Sequence, residues 1–153
     1  MNLEALHHDA DAARQADAAM DPLDQAVTES ENRTAELDKK YRWNSRDAEL
    51  RDQWAKSREE RLAAYQTQRD GRNCFVASHQ AVWSEIDAVA AKAMNELPHV
   101  RDTLAALQAD FPNFPFFRDQ DSTEQMRVAV RAILWRKFQR VLAAITAAEG
   151  NAR

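Results

Sequence analysis

Glycine is nearly missing from this sequence, with two residues in 153, and it is accompanied by only four prolines and a single cysteine. Tight hairpins need glycine or proline at their corners, so a β-rich fold has almost nothing to turn on. A glycine-rich loop that cradles phosphate is nearly excluded for the same reason. Cys74 has no second cysteine to pair with, so no intrachain disulfide can form. No apolar run approaches the roughly 18 residues of a membrane span, and no secretory leader pattern opens the chain. The expectation is a soluble, cytoplasmic protein with no membrane contact and no cofactor. Zinc-ligand clusters and catalytic triads are missing as well, which lowers the case for an enzyme. A net charge of −4 argues against a surface made wholly for nucleic acid.

Alanine supplies 29 residues. It costs least in a helix, whereas glycine and proline cost most, so an all-α fold is favoured along nearly the whole chain. Asp21-Pro22 reads as a cap followed by proline at the first helical position. Gly71 and Gly150 suit the residue just past a helix end, and Pro98, Pro112 and Pro115 mark further breaks. These signals predict helices near 2–19, 22–70, 73–97, 98–110 and 122–149, with Ser122 and Gln125 forming a capping box for the last. The domain reading is one helical domain over 1–153, made of a charged arm (22–70) and a core (73–149).

Phe75, His79, Val82, Ile86, Val89, Ala93 and Leu97 recur at steps of four and three, the signature of one buried helical stripe. Met126, Val130, Ile133, Leu134, Phe138, Val141, Leu142 and Ile145 form a second stripe, and Val100, Leu104, Leu107 and Phe111 a shorter third. Together they can close a helical bundle. Segment 22–70 differs, because ten acidic and ten basic residues lie between Thr28 and Asp70. Unbroken, it would span about 70 Å at ~1.5 Å per residue. So polar a helix needs a neighbour. Two arrangements supply one: a hairpin at Gly71 that folds 43–70 back along 73–97, or a coiled coil of residues 22–42 in a homodimer.

Trp43, Trp54 and Tyr65 are spaced by eleven, which would keep them on one face of a straight helix. With Leu50 they make a candidate surface for a protein partner. The loop Phe111–Phe117 adds Phe114, Phe116 and Phe117, aromatic residues on a proline-stiffened segment that lose little entropy on binding. The leading functional reading is therefore a non-enzymatic interaction module acting as an adaptor, assembly factor or inhibitor, including an inhibitor of a host nucleic-acid-processing complex of the kind phages and plasmids encode.

Two alternatives come from other residues. Arg127, Arg131, Arg136, Lys137 and Arg140, with no acidic residue between 125 and 148, resemble a nucleic-acid-binding helix. Their angular placement rings the helix, however, and the acidic stretch 1–31 could neutralise them internally. Glu4-x-x-His7 and Glu96-x-x-His99 have the ligand spacing of carboxylate-bridged di-metal bundles, although Pro98 lies inside the second copy. His7, His8, Asp9 and Asp11 form a second cluster that could take a divalent ion, because His7 and Asp11 are one turn apart. Cys74 reads as a small apolar residue at a helix start and His79 as a core histidine.

Overall fold

A computed structural model describes residues 2–118 and 121–151. Among these there is no strand. The helices are α1 (Glu4–Ala18), α2 (Met20–Trp43), α3 (Ala48–Glu96), a 3-10 turn (Pro98–Val100), α4 (Arg101–Asp110) and α5 (Thr123–Asn151). The all-α expectation holds and one helix is very long, but its place differs. It is the 49-residue α3, not 22–70. The chain divides into two compact units, a hairpin unit (Gln15–Phe75) and a core unit (Met1–Arg14 with Val76–Arg153).

Within the hairpin unit, α2 lies antiparallel to residues 48–75 of α3. Thr34 Oγ1 donates to Ser57 O at 3.2 Å, Gln68 Nε2 to Asp24 Oδ1 at 2.7 Å, and Arg33 pairs with Glu60 at 3.2 Å. Trp54 Nε1 donates to Asp38 and the Tyr65 hydroxyl to Glu31. One partner's number falls as the other's rises, the register of an antiparallel pair.

The reversal sits at Asn44–Asp47 rather than at Gly71. Asn44 ends α2 at φ −134° and ψ 47°, its N–H shared between the Lys40 and Tyr41 carbonyls. Asp47 then caps α3, its Oδ1 accepting the Leu50 N–H at 3.0 Å. Asn, Ser and Asp compete with helix by bonding their own backbone, which is what a helix-to-helix turn requires. The expected break at Gly71 fails because a single glycine costs a helix only about 1 kcal/mol, and α3 packs against α2 on either side of it. Gly71 has another use. A Cβ there would overlap Leu23 Cδ1 and sit 3.3 Å from Met20 Sδ, so the missing side chain makes room for α2. Asp21 does not cap a helix either, since α1 and α2 are separated by Ala19 alone and Pro22 falls inside the first turn of α2. Gly150 is inside α5, and Cys74 is exposed in the middle of α3.

In the core unit the expected stripes are inside. His79, Val82, Ile86, Val89 and Ala93 of α3 are buried, with Met126, Val130, Leu134, Phe138, Val141 and Ile145 of α5 and Val100 and Leu104 from the turn and α4. From α1, Leu6, Ala10 and Ala13 are buried at helical spacing. The capping box of α5 forms as expected: Gln125 N donates to Ser122 Oγ and Ser122 N to Gln125 Oε1, each at 3.1 Å.

Gly71→Val is expected to destabilise the protein by about 1–3 kcal/mol through overpacking against Leu23 and Met20. Gly150→Ala, which meets no atom within 4 Å, should leave stability unchanged or slightly raised; urea unfolding followed by circular dichroism reads both.

Candidate functional site

The aromatic loop after α4 is built on a chain of contacts in the core unit. The Lys137 ammonium, with a side chain only 1% exposed, bonds Asp87 Oδ1 at 2.6 Å and lies 3.7 Å from the Trp83 ring centroid. Phe114 meets the Trp83 ring edge to face at 5.8 Å, and Phe117 meets Phe114 in the same way at 6.3 Å. Phe111 lies under the Arg140 guanidinium. Such T-shaped pairs are favourable beyond their burial. Three of the four loop phenylalanines are thereby committed to the fold. Phe116 alone is turned out, 89% exposed. Beside it is a shallow depression of about 290 Å³ lined by Pro115, Phe116, Phe117, Asp121, Gln125, Met126 and Ala129.

The five basic residues of α5 do not form one surface. Arg127 and Lys137 are buried. Arg140 pairs with Asp110 of α4 at 3.5 Å, so Lys137 and Arg140 find their carboxylates on α3 and α4 rather than in the acidic N-terminal stretch. Arg131 and Arg136 remain exposed. Arg14, from α1, lies 4.6 Å over the Trp135 ring and 3.0 Å from Asp11. With Phe138 and Gln139 it lines an open depression of about 470 Å³.

The di-metal spacing does not survive as a helical pair at its second copy. Glu96 ends α3 and bonds Lys92, whereas His99 lies in the 3-10 turn beyond Leu97. Glu4 and His7 are exposed on α1, and His7 leans its ring edge on Phe138. Among the described residues no group of three or more His, Cys, Asp or Glu could hold a metal ion. His79 is buried against the edge of Trp135, with Ser78 Oγ 3.3 Å from its Nδ1. None of the described helices is long and apolar enough to cross a membrane.

In the hairpin unit the turn at Asn44–Asp47 parts the residues expected on one face. Tyr41 stacks on Trp54 at 5.0 Å and 14° between planes, and the Arg58 guanidinium covers Trp54 at 4.8 Å. Leu50 is half-buried. Tyr65 is held by Glu31, and that hydrogen bond, followed by burial, raises its pKa above the ordinary 10.0. Trp43 differs from these. As the last residue of α2 it is 91% exposed. It follows Lys39 by four residues and Lys40 by three, so the three share the helix face opposite to buried Val27 and Thr34. Arg42 and Arg46 flank it, and segment 39–46 holds these four cations and no carboxylate. This cluster was legible as the run Lys-Lys-Tyr-Arg-Trp-Asn-Ser-Arg. It was hidden by reading 22–70 as one helix, in which position 43 lies mid-arm rather than at an apex.

Two stability effects follow. Asp87→Ala leaves the buried Lys137 charge with only an aromatic face and is expected to cost about 2 kcal/mol, whereas Lys137→Met, which removes the charge, should cost less. The contribution of the Tyr65–Glu31 bond is complete below about pH 10. It should be lost as pH rises through the raised pKa of the folded state, and Tyr65→Phe should remove that part of the alkaline decline in urea midpoint. The chain matches no known protein family, and it resembles no curated protein and no solved structure significantly.

Proposed function

We propose that this protein is a non-enzymatic helical interaction module that holds a protein partner through Phe116 of the aromatic loop. The observation that carries the reading is the contrast inside one short segment. Phe111, Phe114 and Phe117 are half-buried and each is engaged by a neighbouring side chain, while Phe116 stands 89% exposed beside a depression that Phe117 and Met126 also line. An exposed aromatic residue on a rigid support is the usual anchor of a binding hot spot, since little entropy remains to be lost on docking. The support here is held by the Phe117–Phe114–Trp83 edge contacts and by the buried Lys137 against Trp83. Of the arm residues expected to serve the same end, Trp54 and Tyr65 are engaged within the hairpin, Leu50 is half-buried and Trp43 stands apart from them at the turn, which moves the weight of the protein-binding reading to the loop. Adaptor, assembly factor and inhibitor are all roles for such a module.

A photo-crosslinking amino acid at position 116, compared with one at exposed Ala105 of α4, tests this in the cell that makes the protein. Discrete adducts are expected at 116 and not at 105. Competition by added wild-type chain but not by Phe116→Asp, with an unchanged circular dichroism spectrum, would complete the case. Identical adducts at both positions, or none at 116, would overturn it.

A further inference from the structure

The hairpin tip carries a different chemistry. We infer that it is a binding site for single-stranded nucleic acid, with one base stacked on the Trp43 indole and the flanking phosphates held by Lys39, Lys40, Arg42 and Arg46. The inference is independent of any partner at Phe116.

Three observations converge on it. Trp43 is a large aromatic left 91% in solvent while two other aromatic residues of the hairpin, Tyr41 and Trp54, stack on each other. That stack, with Asp38 on Trp54 Nε1, secures the end of α2, so the indole is offered from a fixed backbone. The four cations are exposed and make no ion pair among the described residues, whereas Arg33, Lys56 and Arg51 of the same unit do. Aromatic stacking joined to phosphate contacts is the general chemistry of single-strand binding, and it is sequence-tolerant because every base has a flat face.

Other polyanions fit the tip less well. A duplex reader lays a helix along a groove, yet the outer face of α2 turns acidic beyond Lys39 with exposed Glu36 and Glu29. An anionic bilayer rewards several apolar residues at the interface, but the residues next to Trp43 are Arg42, Asn44 and Ser45. Glu49 and Asp52, in the first turns of α3 just after the tip, are exposed as well and would repel an anionic surface. A flexible strand can follow the cations and turn away from those carboxylates.

The test uses the full chain and fluorescein-labelled oligothymidylate of about a dozen nucleotides, read by anisotropy in low salt. Binding is expected, with a log–log salt slope no steeper than about −3 for four phosphate contacts on a single strand. Trp43→Ala should weaken it about tenfold, within the range that loss of one stacked base produces. Lys39→Glu with Lys40→Glu should abolish it. These side chains are exposed, so the circular dichroism spectra of the variants should match the wild type. Failure to bind, binding unaffected by Trp43→Ala, or equal affinity for a duplex of the same length would each overturn the inference. So would adsorption to phosphatidylserine vesicles without any to the oligonucleotide, which would make the tip a membrane contact.

Discussion

The close antiparallel approach of α2 to the first half of α3 is the constraint on which the hairpin unit depends. Neither helix has enough apolar surface to stand by itself, and the seam between them is largely polar. Thr34 to the Ser57 carbonyl, Asp38 to Trp54, Glu31 to Tyr65 and Asp24 to Gln68 follow one another along it. Such bonds are directional, so they fix register more than they add stability, each being worth only ~1 kcal/mol net. Gly71 matters in that setting because a side chain there would overlap Leu23 of α2. The pairing in turn decides which aromatic residues are available. Trp54 and Tyr65 face the seam or its margin and are occupied, whereas Trp43 falls on the far side of α2.

The core unit follows a different rule. Its helices bury aliphatic stripes in the ordinary way, but at one edge a lysine takes the place of a hydrophobe. Lys137 is buried on its apolar stem, its ammonium balanced between the Asp87 carboxylate and the Trp83 face. Trp83 then supports Phe114, and Phe114 supports Phe117. The conformation of the loop, and so the outward placement of Phe116, thus traces back to a charge pair on two helices distant in sequence. Both candidate surfaces share this logic, since in each a single exposed aromatic is displayed by neighbours that are themselves fully engaged.

How far these features could be read from residues alone varies with their range. The stripes at 75–97, 100–111 and 126–145 were readable because burial imposes the helical period directly on the sequence. The Ser122–Gln125 box was readable because both partners lie within one turn. The reversal was misplaced because glycine is a stronger local signal than Asn-Ser-Arg-Asp, and local signals do not reveal that Gly71 is needed for another helix. Among the loop phenylalanines, the residues alone offered Phe114, Phe116 and Phe117 alike as binding candidates. Which one points outward depended on Trp83, which lies 31 residues before Phe114.

By itself the sequence determined that the protein is built from helices, because alanine abundance and glycine scarcity set the local free energy of every segment in the same direction. It also determined the apolar faces that α3, α4 and α5 bury in the core unit. Only the tertiary structure decided where the charged segment folds back, and with it that Trp43 stands at an apex among exposed cations. The physical reason is that a helix break costs about the same at several polar positions along this chain. The choice among them is made by the hydrogen bonds and ring stacking across the seam, and those interactions join residues far apart in the sequence.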